Sequence, residues 1–369
     1  MNLSGKPLAK TERFIGFDYL RGIAVILVFL SHIPVLDSMP YWFKRVSETG
    51  SCGVQLFFII SAFVLMHSTT KRFSLEHHRI KIYYFRRFMR IAPLYYFCLL
   101  YFTFFPSLFS QGWDNISSYS TALLLNILFL HDLSPIHINS IMPGWTIGVE
   151  MTFSLFLPII IFYIKSIKSA TVLFIGSIFF YLFLSNRYVY YLGQLFNLES
   201  YSVFRIYTNL WIGKNTLLFS SGILLYFIVN SNLTFFKNKS LFISSSSLAI
   251  SVTLYILHIL KFFNSKLLYL HYTFIFFFLV LGVYLFPRKL VAQKILCTLG
   301  KCCFSMYLIQ FAVFEIFHTD LTAMTDHLFL YYSTAFGIFF LTFLLSYFSF
   351  NMIEKKFIKL GEHLINKLS

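Results

Sequence analysis

Charged side chains are scarce in this chain, and their scarcity excludes an ordinary soluble protein. They make up 12% of its 369 residues, whereas a typical globular domain carries about 25%. Apolar residues make up 58%, and Phe alone occurs 49 times. The few charges form short clusters between long apolar runs, a pattern that is typical of an integral membrane protein with several transmembrane helices.

Acidic residues are scarcer than basic ones, 14 against 30, which gives a net charge of +16. An excess of this size can indicate nucleic-acid binding. Here the basic residues flank the apolar runs, so we interpret them as topology signals and as contacts with anionic membrane lipids. We therefore expect membrane lipids as partners and no nucleic acid.

Cysteine is rare, and its five positions show neither metal-ligand spacing nor a disulfide framework. They are Cys52, Cys98, Cys297, Cys302 and Cys303. We predict that all five are reduced packing residues and that the protein holds no metal. The chain also lacks a signal-peptide cleavage site after its first apolar run, so we expect the first helix to be retained.

The apolar runs predict a single all-α integral membrane domain over residues 1–369, with about ten transmembrane helices. The predicted spans are residues 15–36, 52–70, 91–108, 145–164, 170–186, 211–230, 240–260, 272–286, 295–317 and 328–351. Segment 119–131 reaches only about 20 Å as a helix, too short for a hydrocarbon core of about 30 Å, so we predict a short or re-entrant helix there. The chain ends 18 residues after residue 351, and we expect no extracytoplasmic C-terminal domain.

Basic clusters alternate with the apolar runs, and Lys and Arg are enriched on the cytoplasmic side of membrane proteins. Residues 71–90 hold the densest of these clusters. The alternation predicts that both termini and residues 71–90 are cytoplasmic. It also predicts an external loop at residues 187–207.

The stretch from Phe17 to His32, FDYLRGIAVILVFLSH, carries three ionisable residues in an apolar run. Arg21 and His32 are eleven positions apart, close to three helical turns, so they share a helix face at about 16 Å separation. Asp18 is spaced to pair with Arg21. Ionisable residues inside a membrane helix are functional candidates. The alternative is an Arg that extends to the membrane edge and a His that hydrogen-bonds a neighbouring helix.

Seven sequence blocks resemble, in order, the membrane acyltransferase 3 family. They are DYLRGIAVILVFLSH at 18–32, GVQLFFIISAFVL at 53–65, RRFMRIAP at 86–93, GWTIGVEMTFSLFLP at 144–158, FSSGILL at 219–225, LGKCCFSMYLIQ at 299–310 and IEKKF at 353–357. The resemblance runs from about residue 14 to 360. It implies an integral membrane O-acyltransferase of the bacterial cytoplasmic (inner) membrane, which moves an acetyl group from cytoplasmic acetyl-CoA to a hydroxyl of a cell-surface glycan such as O-antigen or capsule.

The resemblance and the chemistry together assign catalytic roles to His32, Glu150 and Arg21. A neutral imidazole is a suitable general base for a sugar hydroxyl, because the unperturbed pKa of His is close to working pH. Glu150 begins a helix that enters from the outside, at a depth similar to that of His32, so it is expected to orient the imidazole as the third member of a triad does. The alternative for Glu150 is a buried pair with some other cation.

Arg86, Arg87 and Arg90 form the predicted donor site. Arg87 and Arg90 are three residues apart and share a helix face, and Arg86 lies beside them. Guanidinium groups suit the phosphates of coenzyme A, and in the family this Arg-x-x-Arg motif is likewise linked to use of the acyl donor. The alternative is a basic cluster that only sets the topology.

Two positions depart from the family pattern. Gln310 stands where many relatives have His, and Gln55 where an acidic residue is common. Gln310 cannot accept a proton, so these departures bear on substrate choice. Two other functions stay open at this point: a glycan or small-molecule transporter or flippase without acyl transfer, and the same enzyme with another short acyl-CoA.

Overall fold

A computed structural model describes residues 15–76, 78–104, 116–134, 144–197, 210–231, 240–262, 267–286, 294–323 and 327–368. Every regular element in these ranges is helical, as the sequence predicted. The predicted cytoplasmic N-terminal segment, residues 1–13, lies outside the described residues.

The described ranges contain fifteen α-helices. They are α1 (Ile15–Leu30), α2 (Tyr41–Thr49), α3 (Gly53–Phe73), α4 (Arg79–Phe104), α5 (Ile116–Ile127), α6 (Gly144–Tyr163), α7 (Ile167–Phe179), α8 (Ser185–Phe196), α9 (Ile212–Ser231), α10 (Ser240–Ile259), α11 (Leu268–Leu285), α12 (Lys294–Lys301), α13 (Cys303–Ala323), α14 (Leu328–Ser349) and α15 (Lys355–Leu368). Short 3₁₀ turns occupy Gly50–Cys52 and His131–Leu133, and π-helical turns occupy Phe180–Leu184 and Phe350–Glu354.

Within the described residues, seven segments are long and apolar enough to cross a membrane. They are Tyr41–Phe73, Gly144–Tyr163, Ile167–Leu195, Ile212–Asn230, Ser240–Ile259, Leu268–Leu285 and Leu328–Lys367. The pair α12–α13, bent by 76°, makes an eighth if it counts as one span. The protein is therefore a multi-pass membrane protein, but the predicted count of about ten spans is not confirmed.

Two of the predicted spans are helices that fall short of this test. Helix α1 has 16 residues and so reaches about 24 Å. Basic side chains continue through the first half of α4, up to Arg90. Helix α5 has 12 residues, about 18 Å, which agrees with the short element expected near 119–131.

The structure corrects two predicted boundaries. Helix α1 ends at Leu30 rather than near residue 36, and Pro34, which disfavours a helical conformation in the residue before it, follows closely. Residues 187–196, expected in an external loop, belong to α8. The rest of that predicted loop, from residue 198, lies outside the described residues.

Helix α1 packs against α3, α12 and α13 near the centre of the bundle. Glycines allow its closest approach, to α12. A side chain at Gly22 would overlap the carbonyl of Leu296, and one at Gly300 would overlap the carbonyl of Asp18. This contact fixes the position of Arg21, which lies between these two points along α1.

Candidate active site

An open cavity with about 830 Å³ of empty space lies between α1, α3, α4, α6 and α13. Most of its lining is apolar or aromatic, including Phe57, Phe58 and Ile91. Its charged lining residues are Arg21, Arg87, Arg90 and Glu150. The structure therefore brings together four of the six residues that the sequence assigned to catalysis and donor binding.

Glu150 and Arg87 form an ion pair inside this cavity. An Arg87 Nη atom donates to Glu150 Oε1, and the Ser61 hydroxyl donates to the same oxygen at 2.6 Å. Arg87 Nε donates to Ser154 Oγ at 3.0 Å. Removing two charges from water is costly unless they are paired and further hydrogen-bonded, and these contacts meet that requirement. The pair joins α3, α4 and α6 at one point.

The partner of Glu150 differs from the one that the sequence suggested. Its hydrogen bonds within the described residues go to Arg87 and Ser61 rather than to His32. The arrangement is the alternative stated above, a buried pair with another cation. Depth along the membrane normal did not distinguish the two cases, because it says nothing about which helices are neighbours.

His32 lies in the turn that closes α1. Its Nδ1 is 2.7 Å from the carbonyl oxygen of Val28, and its ring packs edge-on against Phe311 with 4.7 Å between centroids. A carbonyl oxygen only accepts hydrogen bonds, so Nδ1 must carry the proton. In the neutral ring, Nε2 is then the atom with a free lone pair. The side chain is exposed, so this lone pair belongs to a group that a substrate can approach.

Arg21 pairs with Asp18, as the spacing predicted. Arg21 Nη1 is 3.6 Å from Asp18 Oδ1, and Asp18 is buried. The guanidinium also lines the cavity. Arg21 thus lies within α1 and lines the cavity, whereas His32 lies in the turn after Leu30 and does not line it.

Arg90 differs from the other two arginines of this cavity because it forms no direct ion pair within the described residues; Glu150 and Glu354 act on its charge only from a greater distance. Within the part of the chain that the structure describes, it makes no hydrogen bond and no ion pair. Its side chain is exposed and lines the cavity. An unpaired guanidinium in such a place is suited to bind an anionic ligand.

A second cavity continues the first. It has about 490 Å³ of empty space and shares Leu65, Arg87 and Arg90 with the first cavity. Arg72 and Arg86 add to its basic lining. Because Arg87 and Arg90 line both cavities, the shared helix face that the sequence predicted for them is confirmed.

The model of the acyltransferase 3 family, described as an acyltransferase domain, matches residues 14–350. The chain belongs to this family. It is a membrane acyltransferase, which confirms the resemblance found in its seven sequence blocks. No curated protein and no solved structure matches the chain.

Arg86, unlike Arg87 and Arg90, does not line the first cavity of this acyltransferase. Its guanidinium donates to both carboxylate oxygens of Glu76, at 2.7 and 2.8 Å, and to Glu362 of α15 at 3.1 Å. Two carboxylates therefore already compensate its charge. Of the three arginines assigned to the donor site, Arg90 has the charge most available to a ligand.

Sequence reasoning missed several polar groups of the acyltransferase site. Ser61 lies in the block GVQLFFIISAFVL, where a lone hydroxyl in an apolar run was the available signal. Cys303, predicted to be a reduced packing residue, is a free cysteine that lines the cavity. Glu354, in the block IEKKF, lines neither cavity, but it is buried, accepts a hydrogen bond from Ser305 and interacts electrostatically with Arg90. The π-helical turn Phe350–Glu354 that places it leaves no pattern that sequence reading detects.

Proposed function

We propose that this acyltransferase moves an acetyl group from cytoplasmic acetyl-CoA to a hydroxyl of a cell-surface glycan, of the O-antigen or capsule type. The observation that carries the proposal is the open cavity in which, within the described residues, Arg87 and Arg21 form direct ion pairs and Arg90 forms none. Such a cavity suits a ligand with an anionic head and a long uncharged arm. Coenzyme A, with its phosphates and pantetheine chain, has this form.

The donor enters through the second cavity and leaves its phosphates near Arg90. Guanidinium groups bind phosphate oxygens through charge-assisted hydrogen bonds. The predominantly apolar lining of the first cavity accommodates the arm. The acyl end then extends along α1 from Arg21 towards His32, a distance of about 16 Å along the helix.

His32 acts as the general base. Nε2 takes the proton of the acceptor hydroxyl while the hydroxyl oxygen attacks the thioester carbonyl carbon. The carbon–sulfur bond breaks, and the coenzyme A thiolate leaves and takes up the proton from the imidazolium. The Val28 carbonyl holds Nδ1–H and so orients the ring, the task that the third member of a catalytic triad performs.

Glu150 and Arg21 support this reaction without exchanging protons. Glu150 holds the Arg87 guanidinium at the junction of the two cavities. Arg21, paired with Asp18, supplies positive charge between the phosphate end and the acyl end of the donor. This charge attracts the polyanionic donor into the bundle.

The acceptor is a lipid-linked or polymerising glycan on the outer side of the bacterial inner membrane. The basic segment 71–90 and both termini lie in the cytoplasm, as the positive-inside rule requires. This orientation places the second cavity, with Arg72 and Arg86, on the side where acetyl-CoA is made. It places His32 towards the opposite side.

Purified protein with radiolabelled acetyl-CoA tests the proposal. We expect release of free coenzyme A and transfer of label to glycan from the same cells. Succinyl-CoA and coenzyme A, offered as competitors, distinguish recognition of the acyl group from recognition of the nucleotide. Absence of both thioester cleavage and transfer, in protein that is folded and monodisperse, would refute the assigned reaction. Mass spectrometry of surface polysaccharide from cells with and without the gene identifies the acetylated sugar.

A further inference from the structure

Gln310 is a buried amide with an unsatisfied donor. The side chain is 1% exposed, and its Nε2 has no acceptor within the described residues. An amide NH₂ that is buried without a partner is unfavourable, and most such groups in native proteins have a specific reason. The position of Gln310 on α13 suggests what its amide could bind.

Gln310 follows the cavity lining along α13. Cys303 and Tyr307 line the cavity, and Gln310 lies three residues after Tyr307, about 4.5 Å further along the helix on the same side. The next residue, Phe311, packs against the His32 ring. Gln310 does not itself line the cavity; it lies on α13 between Tyr307, which does, and Phe311, which contacts His32.

We propose that the Gln310 amide donates a hydrogen bond to the carbonyl oxygen of the acyl thioester during transfer. This role rests on the function proposed above. When the acceptor oxygen attacks the carbonyl carbon, the carbonyl π electrons move onto this oxygen, which becomes negatively charged. The electrons return when the carbon–sulfur bond breaks and the coenzyme A thiolate leaves. A hydrogen-bond donor in a site of low polarity stabilises this charge more than one in water does.

Other buried groups without a partner do not share this position. Thr342 and Ser346 of α14 are fully buried and also lack a partner within the described residues. They lie on α14, which contributes no residue to the cavity lining, whereas α13 contributes Cys303 and Tyr307. A helical hydroxyl can also reach the carbonyl of the preceding turn by rotating about one bond. Ser346 is therefore a matched control for the loss of a buried, unpaired polar group.

The test compares Gln310→Leu, Gln310→His and Ser346→Ala in purified full-length protein, with labelled acetyl-CoA and glycan acceptor. We expect Gln310→Leu to lower kcat about 10²- to 10³-fold, the usual effect of removing one oxyanion donor. Donor Kd should stay within about twofold, because the contact strengthens only in the transition state. Gln310→His keeps an N–H donor and should retain most of the activity. Ser346→Ala should match the wild type.

Thermal unfolding separates this role from a packing role. Replacing an unpaired buried amide by Leu removes a desolvation cost, so Gln310→Leu should unfold at the same or a higher temperature. A more stable variant with low kcat supports the proposal. If Gln310→Leu unfolds early, Gln310→Met, which is longer and more flexible and also lacks a donor, takes its place.

Two results would overturn the proposal, and each refutes a different part of it. A folded Gln310→Leu or Gln310→Met variant with wild-type kcat refutes the oxyanion role and leaves the acyltransferase reaction intact. A folded wild-type protein that neither cleaves nor transfers from acetyl-CoA refutes the reaction, and the role of Gln310 with it.

Discussion

Arg87 and Glu150 form an ion pair between α4 and α6, and Ser61 of α3 donates to the same carboxylate oxygen. The pair lies at the junction of two cavities that share Arg87. It is therefore both a packing contact among three helices and a part of the wall where the two cavities meet.

Breaking this pair from one side should destabilise the protein. Arg87→Met leaves the Glu150 carboxylate without its cation, which costs about 3 kcal/mol in buried pairs. The double variant Arg87→Met/Glu150→Met should recover most of this loss, because neither charge is then stranded. Denaturation in detergent measures both values. Asp37→Asn, which breaks the exposed pair with Lys44, is the control and should change little. A double variant as unstable as the single one would show that the pair acts by shape rather than charge.

Arg90 and Arg86 should differ in donor binding. Arg90→Ala removes the unpaired cation, and we expect donor affinity to fall about ten- to hundredfold, the range for a charge-assisted phosphate contact. Arg90→Lys should recover only part, since it lacks the planar fork. Arg86→Ala should weaken binding far less, because Glu76 and Glu362 already engage that guanidinium. Calorimetry with coenzyme A provides the values, and equal losses for the two alanine variants would contradict the assignment.

His32 should control the rate and its pH dependence. His32→Ala should lower transfer about 10²- to 10⁴-fold with donor binding near normal. His32→Gln can accept a hydrogen bond but not a proton, so it should be nearly as inactive. In the wild type, kcat/KM should fall as pH drops through the histidine pKa, because the protonated ring cannot take the hydroxyl proton. A His32→Gln enzyme with more than about a tenth of wild-type turnover would exclude His32 as the base.

The buried carboxyl of Asp132 should make the free energy of unfolding depend on pH. It lies in the turn His131–Leu133 and accepts a hydrogen bond from the Ile212 backbone N–H at 3.2 Å. Burial raises the pKa of this carboxyl to about 8, and the Ile212 hydrogen bond lowers it in part. The folded state thus holds a proton that the unfolded chain releases near pH 4. Stability should therefore fall as pH rises from about 4 to 8 and then level off.

Asp132→Asn isolates this effect. It keeps an acceptor for Ile212 N–H but has no titrating group, so the component of stability lost between about pH 4 and 8 should disappear. The variant should gain most over the wild type at pH 8 and above. Melting curves from pH 5 to 9 measure the difference. Parallel curves for the two proteins would show that Asp132 does not titrate in this range.

Cysteine labelling tests the orientation. Ser74, just after α3, and Ser38, between α1 and α2, are both exposed. We expect a membrane-impermeant thiol reagent to label Ser38→Cys in intact cells, and Ser74→Cys only after the membrane is opened. The unmodified protein, whose cysteines are mostly buried, provides the background. Labelling of Ser74→Cys in intact cells would show that the orientation is the reverse of the one proposed.

Local spacing predicted those parts of the site that lie on one helix. The Asp18–Arg21 pair and the shared face of Arg87 and Arg90 follow from three-residue separations, because 3.6 residues make one turn. The partner of Glu150 did not follow, since it depends on which helices are neighbours. Membrane topology limits the depth of a residue but not the arrangement of helices within the plane.

Errors in the helix boundaries have similar causes. Apolar content extended the first predicted span to residue 36, although Pro34 is a signal for an earlier end. The Tyr-rich segment after residue 187 reads as a polar loop by composition. Yet α8, SNRYVYYLGQLF, contains no proline, and its buried residues Ser185 and Val189 are four residues apart. Periodicity was the better guide there than polarity.

The hydrogen bond from His32 to Val28 lies within a single structural element. His32 and the Val28 carbonyl that accepts its hydrogen bond are four residues apart, so this bond involves no neighbouring helix. A movement of α1 relative to its neighbours therefore carries the imidazole and its orienting carbonyl together. The tautomer of His32 therefore does not depend on the distance between α1 and the neighbouring helices.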